Sequence, residues 1–183
     1  MEPVLKMENI SKTFPGVRAL EKVSIEVFPN EIVGLVGENG AGKSTLMKIL
    51  AGVYRADKGE IFLRGQKVEI KHPNDARALG VGMVFQEQAV LPNMRVYENL
   101  FLGREKFFVH RGTLDQKLMM QEAAKILEEV GLELFPQVYV HELNFMERQM
   151  VEIARNIWLA RQAQVTYPII ILDEPTTVLE EEE

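Results

Sequence analysis

The hydrophobic pattern of the first third of the chain predicts antiparallel strands. Apolar and polar residues alternate over residues 4–10 and again over residues 23–27, and this period of two is typical of a half-buried strand. Residues 11–16 predict a turn because they end in Pro-Gly. Residues 60–70 form two strand-like runs on either side of Arg64-Gly65, which favours a hairpin. We therefore expect an antiparallel β subdomain at the N-terminus.

Three runs that are apolar throughout predict strands of another kind. They cover residues 32–36, 81–85 and 169–172. Short continuous apolar runs are typical of parallel strands that are covered on both faces. Alternating with helices, they indicate an α/β fold whose central sheet is mostly parallel.

Apolar residues at helical spacing predict the helices. Residues 115–130 carry one apolar stripe, and Gly131 is a suitable residue to end that helix. Residues 148–160 carry a second stripe, and we interpret Trp158 on it as a core residue. Met119 and Met120 are interpreted as core-filling residues in preference to metal ligands. Shorter helices are expected over residues 46–51, 74–79 and 97–102.

Composition narrows the class of protein. The chain has 183 residues, of which 46% are hydrophobic and 26% charged, which suits one globular domain with a core. It has no cysteine, which excludes disulfides and thiolate metal sites. A net charge of −6 argues against a broad nucleic-acid-binding surface. No apolar run is long enough to predict a membrane span, and the first residues lack the apolar core of a signal peptide.

Residues 37–45 carry the clearest chemistry. They fit the pattern G-x-x-x-x-G-K-[ST] between a predicted strand and a predicted helix, which is the context of a phosphate-binding P-loop. Glycines let backbone N–H groups converge on phosphate oxygens, and the helix N-terminus adds partial positive charge. Lys43 can reach the β- and γ-phosphates, and the Ser44 hydroxyl can bind Mg²⁺. The candidate nucleotide-binding residues of this loop are Gly37, Asn39, Gly40, Ala41, Gly42, Lys43, Ser44 and Thr45.

A pair of carboxylates provides a candidate metal site. The run 169–172 leads directly into Asp173-Glu174, which places both acids at the C-terminal end of a predicted strand. In P-loop proteins a carboxylate at this place holds Mg²⁺, and Asp173 is the candidate. Glu174 is placed to orient or activate a water against the γ-phosphate. The alternative is that both carboxylates only face solvent. The presence of a P-loop in the same chain makes this alternative weaker than the metal site.

Together these motifs resemble a known family. Residues 37–45, Gln86, the helix from Arg148 and residues 169–175 are similar to the ATP-binding subunit of ABC transporters. Three further stretches are similar to the monosaccharide importers for ribose, galactose and xylose, in particular to their N-terminal ATPase domain. Those stretches are residues 10–17, 92–105 and 149–155. The resemblance covers essentially the whole chain and does not name one sugar.

The resemblance implies roles for individual residues. Phe14 would stack on adenine, although a strand-end core aromatic remains the alternative. Gln86 would touch Mg²⁺ and sense the γ-phosphate, and Asp173 and Ser44 would bind the metal. Glu174 would be the catalytic carboxylate, and Lys43 would stabilise the transferred phosphoryl group. The implied cofactors are ATP and Mg²⁺, and the implied activity is ATP hydrolysis.

The resemblance also implies partners. A second ATPase domain would close face to face and sandwich ATP, and a transmembrane permease subunit would dock near residues 86–103. Leu91, Pro92 and Met94 form an apolar stretch there, although helix packing explains it equally well. Neither direct sugar binding nor nucleic-acid binding is expected. The implied location is the cytoplasmic face of the cell membrane, as a peripheral protein.

One motif departs from the family pattern. The family's Leu-Ser-Gly-Gly-Gln signature loop corresponds here to residues 143–147, Leu-Asn-Phe-Met-Glu, which we call the signature loop. Asn144 replaces the serine that meets the γ-phosphate across the dimer, and Met146 replaces a glycine that lets backbone approach phosphate. Glu147 adds a negative charge near the nucleotide. We expect this loop to bind phosphate poorly.

The end of the chain departs as well. Residues 159–168 look longer than the family's connection into the next strand, and residues 176–179 are a loose version of its D-loop. The family's switch histidine is missing, because every histidine precedes Asp173. We therefore expect residues 1–183 to form one incomplete nucleotide-binding domain, with an inserted helical subdomain at about residues 92–160. It should bind Mg-ATP with little turnover, since hydrolysis needs charge stabilisation from all sides.

Three other interpretations remain. The first is a non-hydrolysing regulatory module of the same fold, which the altered signature loop favours. The second is a soluble ABC ATPase that acts on nucleic acid or ribosomes, which the acidic charge disfavours. The third is a small-molecule kinase, which lacks an acceptor-binding constellation in this sequence.

Overall fold

The computed structural model describes residues 2–84, 89–110 and 112–173. Gln86, Glu174 and residues 176–179 of the preceding section lie outside these residues. The chain divides into two compact units. The first consists of Met1–Gly82 and Ala160–Ile171, and the second of Met83–Leu159 and Leu172–Glu183.

The first unit contains a four-stranded antiparallel sheet. Its strands are β1 (Leu5–Phe14), β2 (Val17–Val27), β3 (Lys58–Leu63) and β4 (Gln66–Val68), in the order β2-β1-β3-β4. The predicted antiparallel β subdomain is therefore confirmed. Because the sheet is antiparallel and one face is covered, the period-two alternation of the sequence identified its strands correctly.

The first two strands are longer than predicted. The sequence predicted a turn over residues 11–16, whereas β1 continues to Phe14, which pairs with Val17. The turn is confined to Pro15-Gly16, where Gly16 adopts a φ of 80°. Register shifts along β1 allow this continuation, because a bulge absorbs the break in the alternating pattern.

The β1–β3 pairing buries the sheet's apolar face. Leu5 pairs with Leu63 and Met7 with Ile61, and all four side chains are buried. The β3–β4 hairpin turns at Arg64-Gly65, as predicted. Both turn residues have positive φ, 50° for Arg64 and 75° for Gly65. A two-residue hairpin turn that is compatible with the twist of its strands requires positive φ at both positions.

Asp57 ties the segment before β3 to the end of β1. Its carboxylate accepts hydrogen bonds from Lys12 Nζ at 2.8 Å and from the Thr13 N–H at 2.7 Å. The Asp57 N–H donates to the Ser11 carbonyl at 2.9 Å. The Lys12 ammonium, and after it the Thr13 N–H, lower the pKa of Asp57 below its ordinary value.

We expect the Asp57→Asn variant to lose a pH-dependent contribution to stability. Because the folded-state pKa lies below the ordinary value of 3.8, the contribution is present above that value and is lost as the pH falls through the folded-state pKa. Urea unfolding across the acidic range should show the wild-type chain to be the more stable near neutral pH. The two stabilities should converge in acid, and a constant difference at every pH would contradict this account.

Two helices, α1 (Lys43–Leu50) and α2 (Pro73–Ala78), belong to the first unit. The strands β5 (Val81–Val84) and β8 (Ile169–Leu172) each have residues in both units. The β5–β8 pair is hydrogen-bonded. The Ile169 N–H donates to the Gly80 carbonyl and the Asp173 N–H to the Val84 carbonyl, so the two strands run in the same direction.

The apolar run at residues 32–36 is not a strand, so that prediction was wrong. The segment has no regular structure, and Ile32 and Val36 are 100% and 97% exposed. Among the described residues, no strand pairs with it. A central strand depends on neighbours at both edges and on both faces, which its own sequence cannot supply. β8 was also predicted to be fully buried, but Leu172 is exposed.

The second unit is mainly helical. Its elements are α3 (Val96–Leu100), β6 (Val109–His110), β7 (Thr113–Leu114), α4 (Gln116–Glu129) and α5 (Phe145–Gln162), the last of which continues beyond the unit. Short 3-10 turns cover Glu105–Phe108 and Val140–Glu142. The predicted helices over 97–102, 115–130 and 148–160 are confirmed with small shifts of their ends. No helix in the described part of the chain is long and apolar enough to cross a lipid bilayer.

The core of the second unit lies between α3, α4 and α5. Trp158 and Met119 are both buried, as predicted, and Met120 is partly buried against the same core. The other buried members of this core are Val96, Tyr97, Leu100, Phe101, Phe108, Ala123, Ile126, Leu127, Val140, Leu143, Val151 and Ala154. The longer α5 also takes up part of the segment 159–168, which in the sequence looks longer than the family's connection into the next strand.

Candidate phosphate-binding site

The loop before α1 depends on two glycines in left-handed backbone conformations. Gly40 has a φ of 84°, and Gly42, the N-cap of α1, has a φ of 87°. A Cβ at Gly42 would lie 2.4 Å from the Ala19 carbonyl oxygen and 2.7 Å from a Leu20 methyl. Residue 42 therefore tolerates only glycine, for reasons of both conformation and space.

Lys43 bridges the loop from the first position of α1. Its Nζ donates to the Gly37 carbonyl at 2.7 Å and to the Glu38 carbonyl at 3.0 Å. An ammonium group has three N–H donors, so these two bonds leave capacity for an anionic oxygen. The positive charge is thus held beside the glycine loop, where the sequence predicted it.

The N-terminus of α1 adds N–H groups to this site. The first turn of a helix has N–H groups without intrahelical partners, and the helix dipole is positive there. Leu46, Ile49 and Leu50 anchor the helix, because all three are buried. The glycine loop, the ammonium group and the helix N-terminus together fit an anionic ligand with several oxygens, such as the phosphate chain of a nucleotide.

Phe14, the predicted adenine-stacking residue, ends β1 in a half-buried position. Its ring packs edge-on against Tyr54 at 5.2 Å, and Lys12 Nζ lies 5.5 Å from the ring centre. Tyr54 carried no signal in the sequence, since it follows the end of α1 without a periodic pattern. One part of the ring thus packs against Tyr54 and another part is accessible to solvent, as a stacking platform for a base would need.

Asp173, the predicted metal carboxylate, follows β8 directly. Its backbone N–H donates to the Val84 carbonyl at 3.1 Å, which places it at the C-terminal end of the parallel β5–β8 pair. This is the strand end at which α/β proteins bind ligands. The other predicted residues, Gln86 and Glu174, are outside the described residues.

The signature loop is closed by a reciprocal pair of hydrogen bonds. The Glu147 N–H donates to Asn144 Oδ1 at 2.9 Å, and the Asn144 N–H donates to Glu147 Oε2 at 2.8 Å. This capping box explains why α5 begins at Phe145, three residues before the predicted start. The Glu147 carboxylate also occupies the N-terminus of α5, where an anion would otherwise be favoured.

We expect Asn144→Ala to destabilise the chain by about 1 kcal/mol, because the first turn of α5 loses its cap. Asn144→Ser is the matched control, since a serine hydroxyl can accept the same hydrogen bond. Urea unfolding followed by circular dichroism measures both variants. Equal losses in the alanine and serine variants would show that the cap is not responsible.

The sequence interpretation missed two buried polar residues in the second unit. Asn99 is completely buried and Glu152 is 2% exposed. Burial raises the pKa of Glu152, while the Ala89 N–H and Arg155 oppose that effect. The only sequence signal was a glutamate on the apolar side of a helix, and such a residue is usually exposed.

Comparison with known proteins is consistent with this site. A family model described as ABC transporter matches residues 20–177. The ribose import ATP-binding protein RbsA of Clostridium perfringens (strain SM101 / Type A) is 47% identical over 177 residues, which cover 97% of this chain and 34% of that protein. The same-named protein of Caldanaerobacter subterraneus subsp. tengcongensis is 44% identical over 183 residues, which cover 100% of this chain and 36% of that protein. The chain therefore spans about a third of the length of these relatives.

Solved structures show the same fold. The ADP conformation of MJ1267, an ATP-binding cassette of an ABC transporter, matches with a TM-score of 0.80 at 28% identity, over 97% of this chain and 71% of that chain. The dimeric post-hydrolysis state of the ATP-binding cassette MJ0796, bound to ADP and Pi, matches with a TM-score of 0.71 at 27% identity. This match covers 97% of this chain and 77% of that chain. These likenesses confirm the predicted α/β P-loop fold.

Proposed function

Because the chain belongs to the ABC transporter family, we propose that it is a nucleotide-binding domain that binds Mg-ATP. In the whole protein this domain hydrolyses ATP to drive sugar import. The observation that carries the proposal is the glycine loop, with Lys43 held across it at the start of α1. Its backbone conformation and charge suit the phosphate chain of a nucleotide.

The proposed roles of the site residues follow the family pattern. The loop residues Gly37, Asn39, Gly40, Ala41, Gly42, Lys43, Ser44 and Thr45 bind the phosphates. Phe14 contacts adenine. Ser44, Gln86 and Asp173 would hold Mg²⁺, which would supply positive charge to neutralise the phosphate chain. Glu174 orients the attacking water.

The sugar and the partners belong to the same proposal. The relatives named above are ribose import proteins, which supports a role in monosaccharide import. We propose that a second ATPase domain and a transmembrane permease are the partners, at the cytoplasmic face of the membrane. Leu91 and Pro92 are exposed, which suits docking of the permease near this stretch. Sugar would bind elsewhere than on this chain.

The geometry of the signature loop supports weak turnover by this chain alone. Asn144 and Glu147 satisfy each other, and the carboxylate opposes a phosphate at the same helix end. A non-hydrolysing module of the same fold is therefore the second candidate function. The two differ in whether addition of an intact partner subunit produces phosphate release.

Steady-state phosphate release from Mg-ATP tests the proposal. We expect this chain to bind Mg-ATP with no turnover above that of Lys43→Ala, since the Glu147 carboxylate occupies the helix end at which the signature loop would stabilise a phosphate. Turnover clearly above the variant would show that the Asn144–Glu147 pair does not prevent hydrolysis. Absence of Mg-ATP binding by the wild-type chain would overturn the proposed function itself.

A further inference from the structure

The Phe14 ring is contacted by two side chains of the first unit. The ring centroids of Phe14 and Tyr54 lie 5.2 Å apart with the ring planes at 71°, which is an edge-to-face arrangement. Lys12 Nζ lies 5.5 Å from the centre of the Phe14 ring. Both geometries attract an aromatic ring in addition to burying its surface. The ring is only half-buried, so these contacts hold it in place while part of it stays accessible.

The Lys12 ammonium group is itself fixed beside the ring. Its Nζ donates to Asp57 Oδ1 at 2.8 Å, and the Lys12 side chain is only 16% exposed. Asp57 Oδ2 accepts from the Thr13 N–H at 2.7 Å. Because Thr13 directly precedes Phe14, one carboxylate holds both the cation near the ring and the backbone next to it.

Tyr54 is fixed to the end of α1. Its N–H donates to the Lys48 carbonyl at 3.1 Å, and the Val53 N–H donates to the same carbonyl at 2.8 Å. Lys48 lies in the last turn of α1, and the glycine loop leads into the first turn. The 8 residues of this helix span about 12 Å, so a rigid element sets the distance between Tyr54 and the glycine loop.

We propose that Tyr54 is a positioning residue that holds the Phe14 ring, as the platform for a purine base, at a fixed place relative to the glycine loop. This role rests on the proposed function, in which Phe14 contacts adenine and the loop binds the phosphates. Tyr54 does not touch the nucleotide; it acts through the Phe14 ring. A ring that is already ordered loses less side-chain entropy when a base stacks on it, and the base therefore binds more tightly.

Two substitutions of Tyr54 separate its ring from its volume and its hydroxyl. Tyr54→Phe keeps the ring that contacts Phe14, whereas Tyr54→Leu keeps an apolar side chain without a ring. The probes are Mg-ATP and inorganic tripolyphosphate with Mg²⁺, which carries three phosphates and no base. We expect Tyr54→Leu to weaken Mg-ATP binding about fivefold, within the range of one aromatic pair, and to leave tripolyphosphate affinity unchanged. Tyr54→Phe should bind both probes as the wild-type chain does.

A double variant shows whether Tyr54 acts through Phe14. Phe14→Ala alone should weaken Mg-ATP binding about tenfold, because the base loses the ring on which it stacks. Adding Tyr54→Leu to Phe14→Ala should weaken it no further, since the ring that Tyr54 holds is already gone. A further fivefold loss would show that Tyr54 affects the nucleotide without Phe14, and the positioning role would be wrong.

The tripolyphosphate measurement identifies a purely structural effect. This probe reports whether the glycine loop is still folded and able to bind phosphate. If Tyr54→Leu weakens Mg-ATP and tripolyphosphate binding equally, the substitution disturbs the loop and the positioning role is refuted. A loss of Mg-ATP affinity in Tyr54→Phe would assign the effect to the hydroxyl group and refute it as well.

Failure of the positioning role differs from failure of the proposed function. If the wild-type chain binds Mg-ATP and Tyr54→Leu binds it equally well, Tyr54 has no positioning role while the proposed function stands. If Phe14→Ala retains the wild-type affinity, the adenine contact and the role of Tyr54 fail together, and phosphate binding by the loop stands. If the wild-type chain binds neither probe, the proposed function fails, and the role of Tyr54 fails with it.

Discussion

Replacing Lys43 with alanine is expected to weaken Mg-ATP binding on the order of a hundredfold. The ammonium group contributes charge-assisted hydrogen bonds, each worth about 1.5–3 kcal/mol, to a ligand that carries several negative charges. The variant also loses the bonds from Nζ to the Gly37 and Glu38 carbonyls, so the loop is less well held before the ligand arrives. Isothermal titration calorimetry or a fluorescent ATP analogue measures the affinity.

Lys48→Ala is the matched control for this variant. Lys48 lies in the last turn of the same helix, away from the glycine loop. Its replacement by alanine removes the same charge from the chain as Lys43→Ala does. The Mg-ATP affinity of this control should stay within about threefold of the wild-type value, because a charge at the other end of the helix acts weakly through solvent. Equal losses in both variants would mean that net charge, and not the position of Lys43, determines binding.

Trp158→Ala is expected to destabilise the second unit by about 3–5 kcal/mol. The indole is 2% exposed and contacts the rings of Phe101, Phe107 and Phe108, with centroid distances of 4.9, 5.6 and 6.0 Å. Removing it leaves a cavity that the surrounding rings fill only in part. The loss is a large share of the about 5–15 kcal/mol that stabilises an ordinary domain.

Trp158→Phe separates the ring from its polar N–H. Nε1 of Trp158 has no hydrogen-bond partner among the described residues, so the phenylalanine variant loses side-chain volume but no hydrogen bond. We expect it to cost clearly less than alanine. Urea unfolding followed by far-UV circular dichroism is the measurement, because Trp158 is the chain's single tryptophan and its fluorescence disappears in both variants. An alanine variant within about 1 kcal/mol of the wild type would contradict the packing argument.

Features that depend on neighbouring residues were predictable from the sequence. The Arg64-Gly65 hairpin turn needs two adjacent residues with positive φ, and the end of the helix at Gly131 needs one such residue. Glycine adopts positive φ readily, so its position in the sequence indicates the backbone conformation. The helix Gln116–Glu129 shows its buried stripe at helical spacing. The glycine loop 37–45 combines both kinds of signal and identified the phosphate-binding candidate.

Features that depend on distant residues were not predictable. The apolar run 32–36 has the composition of a buried strand, but its exposure is decided by partners that its own residues do not specify. The carboxylate of Asp57 and the end of β1 meet across 44 residues of sequence. The buried Glu152 shows no local sign that its partner is the Ala89 N–H.

The sequence by itself determined the antiparallel sheet, the helices, the glycine loop and the family to which the chain belongs. These follow from backbone conformation and side-chain period, which act over a few residues. Only the tertiary structure decided that Lys43 is held by two loop carbonyls, that Asn144 and Glu147 close the signature loop on themselves, and that Glu152 and Asn99 hold residues 89–91. The hydrogen bonds of Glu152 and Asn99 form where folding brings donors and acceptors together away from water, and burial makes them more stabilising. Those of Lys43 and of the Asn144–Glu147 pair are exposed, and they depend on the backbone conformation that each loop adopts in the folded chain.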